Sequence, residues 1–349
     1  MRILIVEDDE ALARFVRQGL EGEHHIVEVS PDGEQARTTA TENDYDVVIL
    51  DLNLPKLDGV SVLRHLRLKK PSLPVLVLTQ RTRVEDRVQC LDMGADDYVP
   101  KQLSPTSLEI LHIREDLVAK IRAAAQARHV PAGWPSSRMP SAGSRLEDQN
   151  TSSISPAIVA VGTSTGGPKA LQEILPLFPR DLSVPLLIVQ HMPLGFTAPF
   201  AQRLNSLCSL TVREAVHDEP IRPGVAYIAP AGMHMTVERT SDLRACICLH
   251  TRPQNCLHIP SIDLMMKSVA ETFRNLAMGI IMTGMGNDGA EGMKAIQQQG
   301  GLTIGQDETT CAVYSMPRAC AELGALNRSV PLRQIPAQIL QATHYCKHA

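Results

Sequence analysis

The chain has 349 residues, 44% of them apolar, 21% charged and 3% aromatic, with a formal charge of −4. That length favours two domains and leaves room for three, and the composition supports real buried cores. The scarcity of aromatic rings and the lack of a basic excess argue against stacking platforms or a positive field for nucleic acid. Apolar runs such as residues 47–50, 186–189 and 279–282 are far shorter than the ~20 residues that cross a bilayer, so no membrane insertion is expected. The opening residues run straight into Glu7-Asp8-Asp9 without the long apolar stretch of a signal peptide, so a cytoplasmic address is expected. The eight cysteines follow no regular framework and read as free thiols that pack as small hydrophobes.

In the first half, β-branched runs at residues 3–6, 47–50 and 75–78 alternate with a helical pattern at Leu12, Phe15, Val16 and Leu20. The alternation predicts a parallel sheet wrapped by helices. The first run ends in Glu7, Asp8 and Asp9 and a later one in Asp51, and in such sheets the carboxyl ends of the strands line the ligand crevice. Clustered carboxylates repel unless a cation neutralises them, and a hard, oxygen-seeking divalent ion fits, with Mg²⁺ the natural candidate. Thr79 ends the next run and Lys101 follows the last one, which adds a hydroxyl and an ammonium suited to a phosphoryl group.

Residues 126 to 155 carry Pro131, Pro135, Pro140, seven serines and two glycines, with neither a 3.6 nor a 2.0 period. They read as a flexible linker with an r.m.s. span of about 30 Å. The chain therefore divides into residues 1–125, a linker at 126–155, and residues 156–349.

The second half repeats the alternation, with strands at 158–161, 186–189 and 280–282 and helices at 168–178 and 288–299. Residues 235–238 and 245–249 read as a strand pair, so an antiparallel edge on this sheet is expected. The first strand runs into Gly162-Thr163-Ser164-Thr165-Gly166-Gly167-Pro168. Small residues permit a sharp strand-to-helix turn, and Pro168 suits a first helical turn. Ser164 would then stand at a helix N-terminus, where backbone N–H groups can stabilise an oxyanion. A phosphate cradle or a plain tight turn stays open on the residues alone, although the lysine of a P-loop and the G-x-G-x-x-G spacing are missing.

The next strand delivers His191 and a later one Asp288. Three strand ends of one parallel sheet can bring serine, histidine and aspartate together as nucleophile, base and orienting acid. Taken alone, Asp288 reads as a helix N-cap, the commoner job for an aspartate before a helical run. The chain order Ser164, His191, Asp288 differs from the Ser, Asp, His order of α/β-hydrolases.

Two resemblances follow from these segments. Residues 1–125 resemble the receiver domains of two-component response regulators, through Glu7-Asp8, Asp51-Leu52-Asn53-Leu54-Pro55, Asp58-Gly59, Thr79, and Gly94-Ala95-Asp96-Asp97-Tyr98 leading to Lys101. The resemblance implies that Asp51 accepts phosphate from a histidine kinase. It further implies that Glu7, Asp8, Asp51 and the Asn53 carbonyl hold Mg²⁺, and that Thr79, Tyr98 and Lys101 serve the switch. Gln102 stands where that family usually carries proline. Residues 156–345 resemble the catalytic domain of the chemotaxis protein-glutamate methylesterases, the CheB family. The matching words are the Ser164 turn, the stretch from Gln190 to Thr197, Tyr227-Ile228-Ala229-Pro230 with His234, Pro260-Ser261-Ile262-Asp263, the stretch from Thr283 to Gly289, and Gln306-Asp307-Glu308. Ala231, Met266 and Gly305 depart from the usual pattern outside the triad.

The fold expected is thus α/β: an N-terminal flavodoxin-like (βα)5 receiver, then a doubly wound, mostly parallel α/β catalytic domain with an antiparallel edge. The function implied is a phosphorylation-regulated serine hydrolase. Its catalytic residues would be Ser164, His191 and Asp288, with the backbone N–H groups of Thr165 and Met285 as oxyanion donors and no cofactor for the ester chemistry. Its substrates would be glutamate methyl esters on the helices of methylated chemoreceptors, and the same chemistry extends to receptor glutamines. Two alternatives stay open: a receiver-controlled hydrolase of small esters, and a non-catalytic phospho-dependent binding switch.

Overall fold

The computed structural model describes residues 1–22, 24–71, 73–79, 95, 97–100, 155–240, 244–254 and 256–343. The first unit is built from β1 (Arg2–Val6), α1 (Glu10–Glu21), β2 (Ile26–Ser30), α2 (Gly33–Glu42), β3 (Val47–Asp51), α3 (Gly59–Lys69), β4 (Val75–Thr79) and β5 (Asp97–Pro100). Its sheet has the order β2-β1-β3-β4-β5, parallel throughout, the flavodoxin-like order whose ligand crevice lies between the ends of β1 and β3. The strands are buried on both faces, which explains why they read as continuous apolar runs rather than alternating ones. Leu4, Val6, Val48 and Leu50 pack on one side with Val62, Leu63 and Leu66. On the other side Ile3, Ile5, Val47 and Ile49 meet Val16 and Leu20 of α1. Each helix is started by an aspartate whose side chain accepts from the first turn: Asp9 for α1, Asp32 for α2 and Asp58 for α3, which satisfies orphan N–H groups. The two further helices of the expected (βα)5 pattern, Lys101, Gln102 and residues 126–154 of the linker lie outside the described residues.

The second unit comprises β6 (Ile158–Thr163), α4 (Gly167–Ile174), β7 (Leu186–Gln190), α5 (Thr197–Leu207), β8 (Thr211–Glu214), β9 (Val225–Ile228), β10 (His234–Arg239), β11 (Ala245–His250), α6 (Ile262–Phe273), β12 (Ala277–Ile281), α7 (Ala290–Gln298), β13 (Leu302–Gln306), α8 (Ser315–Glu322), β14 (Arg328–Val330) and α9 (Ile335–Ala342). Seven strands form one sheet, β14-β13-β12-β6-β7-β9-β8, and every pairing in it is parallel. The antiparallel element expected as an edge is present as a two-stranded sheet of its own, β10 with β11. β11 is held at the 218–221 loop instead, through bonds such as Ile247 N–H to the Glu219 carbonyl and Ile221 N–H to that of Ala245. The outer position on the large sheet is taken by β8.

β6 shows why the sheet is doubly wound. Val159 and Val161 point to one side, into a core with Leu171 of α4 and Phe200 and Leu204 of α5. Ile158 and Ala160 point to the other, against Met265, Met266 and Val269 of α6 and Met293 and Ile296 of α7. Methionine thus fills space that aromatic rings fill in other cores. The chain leaves β6 toward β7 on one flank and returns to β12 on the other, so the carboxyl ends of these three strands border the topological switch point where ligands bind. Among the described residues no helix is long and apolar enough to cross a membrane.

Candidate active site

Ser164 follows β6 directly. Its N–H donates to the Thr283 carbonyl at 3.0 Å, beyond β12, and its carbonyl accepts from Gly167 N–H at 2.9 Å, which closes the strand-to-helix turn. Gly166 caps α4 with φ of 75°, a left-handed conformation that suits glycine. A Cβ there would lie 2.6 Å from Ala312 Cβ. The turn therefore depends on the glycine that the sequence places after Thr165.

His191 emerges beside the serine because Thr163 and Gln190 are register partners on β6 and β7, and its N–H donates to the Thr163 carbonyl at 3.2 Å. Asp288 arrives from the other flank, past the end of β12, and its Oδ2 lies 2.9 Å from His191 Nε2. The serine strand thus stands between the strands of its two partners. An ionised carboxylate only accepts, so Nε2 donates and the lone pair of the imidazole resides on Nδ1. That Nδ1 is buried and has no hydrogen-bond partner among the described residues.

Asp288 is a cap as well as a partner of the histidine, but of a different helix from the one it precedes. α7 is capped by Gly289, whereas the Asp288 carboxylate accepts from Ile262 N–H at 2.8 Å, Asp263 N–H at 3.0 Å and Ser261 Oγ at 3.1 Å. These are the cap and first residues of α6. In return Asp263 Oδ1 accepts from Gly289 N–H at 3.0 Å and Gly292 N–H at 2.7 Å, at the start of α7. The two helix N-termini are closed reciprocally by each other's aspartate. Burial works to raise the Asp288 pKa, but the hydrogen bond and charge of His191 and the N–H groups of Asp263 and Ile262 outweigh it, holding the carboxyl at about 2. Asp263 is shifted the other way, upward, by burial and by the neighbouring Asp288 charge.

Around this core lie residues to which the sequence reading assigned no role. The His258 ring stacks on His191 with centroids 4.1 Å apart and planes 23° apart. His258 also lines an open cleft with Cys256, Ser261, Asp263, Asn287 and Asp288. His234, fully buried, accepts from Ser261 N–H at its Nδ1 (3.1 Å) and bonds the Pro253 carbonyl through Nε2 (3.0 Å). Burial lowers its pKa, and it is a neutral prop for the α6 cap. Of these, Ser261, Asp263 and His234 stand inside motif words and were visible as such, whereas no signal in the sequence marks His258.

The expected oxyanion donors flank the serine. Thr165 follows it, with its carbonyl held by the Thr283 hydroxyl at 2.9 Å, and Met285 follows Gly284, which packs against Ser164. Among the described residues neither the Thr165 nor the Met285 N–H is taken up by a backbone carbonyl.

In the first unit, carboxylate oxygens of Glu7, Asp8 and Asp51 lie within 4.8 Å of one another. Glu7 and Asp51 are buried and Asp8 is exposed. Asp9, the third acid after β1, is occupied as the cap of α1, so the structure sorts the acidic triplet into two for the cluster and one for the helix. Asn53 is exposed two residues beyond Asp51. Thr79 ends β4, the strand next to that of Asp51, and Tyr98 lies in β5, one strand further out; their side chains, like Lys101, are outside the described residues.

A receiver-type unit with an acid cluster at its strand ends, joined to a parallel α/β unit in which a serine-bearing turn adjoins a hydrogen-bonded histidine–aspartate pair, has the arrangement of a receiver-coupled hydrolase,. The comparisons agree. The family model described as CheB methylesterase matches residues 159–339, and that of the response regulator receiver domain matches residues 3–111. The protein-glutamate methylesterase/protein-glutamine glutaminase 2 of Nitratidesulfovibrio vulgaris strain Hildenborough is 36% identical, over 98% of this chain and 99% of its own. A protein-glutamate methylesterase/protein-glutamine glutaminase of Caldanaerobacter subterraneus subsp. tengcongensis is 37% identical, over 98% and 96%. The crystal structure of the Thermotoga maritima CheB methylesterase catalytic domain superposes with a TM-score of 0.52 at 35% identity, covering 54% of this chain and 99% of that one. The chain belongs to the CheB methylesterase family.

Proposed function

We propose that the protein hydrolyses the γ-methyl esters of glutamates on methylated chemoreceptor helices, with Ser164 as nucleophile, His191 as base and Asp288 as the acid that orients it. The observation that carries this reading is the committed imidazole: Nε2 is fixed on Asp288 at 2.9 Å, which leaves a buried Nδ1 lone pair without a partner among the described residues, on the residue that follows the strand next to that of the serine. Ser164 Oγ attacks the ester carbonyl as its proton passes to Nδ1. The N–H groups of Thr165 and Met285 receive the oxyanion, a donor of this type being worth about 2.7 to 4 kcal/mol. The imidazolium returns the proton to the departing methoxide, and methanol leaves. Water then attacks the glutamyl-serine ester with His191 again as base, which restores the hydroxyl and gives the carboxylate. A glutamine amide follows the same course with ammonia as leaving group, in keeping with the double name of the relatives.

The first unit controls the second in this proposal. Asp51 accepts a phosphoryl group from a chemotaxis-type histidine kinase, and Glu7, Asp8, Asp51 and the Asn53 carbonyl hold Mg²⁺. The metal would supply the charge neutralisation that lets an anionic phosphoryl group approach three clustered carboxylates. The charges of Glu7, Asp8 and Asp51, two of them buried, fit such an ion. The unphosphorylated receiver occludes the Ser164 edge, and phosphorylation releases it; a coupling of 1 to 3 kcal/mol corresponds to about 5- to 150-fold in activity.

The test is methanol release from methylated receptor membranes, comparing wild type with Ser164→Ala, each with and without a small-molecule phosphodonor and Mg²⁺. Release that depends on Ser164 and rises with phosphodonor is expected. Release by Ser164→Ala near the wild-type rate would end the triad assignment, and release unaffected by phosphodonor would end the regulatory half.

A further inference from the structure

Gln190 is the last residue of β7 and 2% exposed. Its Nε2 makes two hydrogen bonds of 2.9 Å each, one to the carbonyl of Ser164 and one to the carbonyl of His191. Both partners are pure acceptors, so the group facing them is the amino end of the carboxamide, with one N–H for each. The last main-chain rung between the two strands is His191 N–H to the Thr163 carbonyl, at 3.2 Å. Past it the chains diverge, one into the turn before α4 and the other into the loop before α5. The Gln190 amino group adds a rung beyond the end of the ladder, between the two residues whose side chains must cooperate. The Ser164 carbonyl, which also accepts from Gly167 N–H, is thereby held from two directions.

Turning the carboxamide over would set its oxygen against two carbonyl oxygens,. Its Oε1 is buried with no hydrogen-bond partner among the described residues, and a Cβ added at Gly167 would lie 2.0 Å from it. Burying an unsatisfied carbonyl oxygen costs stability, and a buried apolar side chain would avoid that cost. The two N–H bonds are what a glutamine supplies there and an apolar residue does not.

We infer that Gln190 is a positioning residue, which sets the separation of Ser164 and His191 by bridging their carbonyls. The inference rests on the esterase reading, and it adds a residue that acts through the other two without touching substrate. Losing the bridge should relax the nucleophile and base relative to each other, and a misplacement of about 1 Å costs roughly 100-fold in rate.

The experiment uses full-length protein. Gln190→Met keeps the length and burial of the side chain and removes both donors. Two rates are measured: labelling of Ser164 by a fluorophosphonate, and methanol release from methylated receptor membranes with KM and kcat separated. Thr303→Val is the stability control. It removes a buried hydroxyl that bonds Asn327 Oδ1 at 2.7 Å, near the start of β13 and away from the serine. Gln190→Met should label about 100-fold more slowly, with kcat lowered alike and KM within about twofold of wild type. Thr303→Val should lose thermal stability while keeping the wild-type labelling rate. Labelling of Gln190→Met at the wild-type rate, or a loss no greater than its unfolded fraction, overturns the inference and leaves the esterase standing. Wild-type protein that takes no label at Ser164 overturns the esterase reading, and the inference with it.

Discussion

Replacing Asp288 by asparagine tests the site most sharply, because the geometry dictates two losses at once. One carboxylate oxygen faces His191 Nε2 and the Ile262 N–H, and the other faces the Ser261 hydroxyl and the Asp263 N–H. Whichever way an amide is turned, its NH2 points at an N–H of the α6 terminus. If the NH2 takes the first position, His191 must also shift its proton to Nδ1 to accept there, which removes the lone pair needed by Ser164. A wrong-tautomer change of this type lowers kcat by about 10⁴ in the serine protease precedent, and about 10³ to 10⁴ is expected here. The stability loss follows from the carboxyl's own titration. Its fall from 3.8 to about 2, at a side chain only 13% exposed, corresponds to roughly 2 kcal/mol at neutral pH,. A lowered carboxylate pKa contributes stability that is present above about pH 4 and lost as pH falls through about 2. Urea unfolding from pH 7 to pH 2 should therefore show wild type above Asp288→Asn by roughly 2 kcal/mol near neutrality, with the curves converging in acid. A gap that does not change with pH, or methanol release near the wild-type rate, would refute the reasoning.

Two further outcomes are expected. His258→Ala removes the ring stacked on the base, and since such contacts are worth ~0.5 to 1.5 kcal/mol, acylation of Ser164 should slow by about 2- to 10-fold. His258→Phe should recover most of the rate, and failure to do so would mean that the imidazole nitrogens matter rather than the stack. Gly284→Ala would set a Cβ 2.0 Å from Met316 Sδ and 2.9 Å from Ser164 Cβ. Methionine can yield but the serine is tethered through its backbone, so fluorophosphonate labelling should fall roughly tenfold or more. A loss matched by the unfolded fraction in a urea titration would show instead that only packing was disturbed.

The parallel strands at residues 3–6, 47–50 and 158–161 were legible because burial on both faces demands uninterrupted β-branched and aliphatic runs. The sequence placed Ser164 and His191 at the ligand edge of the sheet, and each does directly follow a buried strand, whereas Asp288 lies seven residues past the end of β12 and reaches the histidine from a loop. The short strands β8, β9 and β14 were not, since three or four residues carry too little periodicity to stand out. The local rule for Asp288 pointed to a cap of the helix that follows it, and the carboxylate instead caps α6, whose first residues lie some 26 positions earlier. No window along the chain contains that contact. His258 was opaque for the same reason, and Gln190, although it opens a motif word, had no readable role: a ring stack and a bridging amide are properties of segments brought together by the fold, and neither residue type announces them.

The crossed aspartates also bear on how such a site can change over time. In Ser, His and Asp sites generally, the acid is the member most easily imagined on another strand, since only its carboxylate must reach the histidine. Here moving it would leave the α6 terminus with its first N–H groups unanswered, while Asp263 would still answer for α7. Drift in the acid's address is blocked by architecture rather than by chemistry, and the same holds for a designer. On the proposed mechanism, an inactive variant intended as a faithful decoy of the whole protein is better made at Ser164, whose hydroxyl bonds no part of the scaffold among the described residues, than at Asp288, where silence and loosening come together.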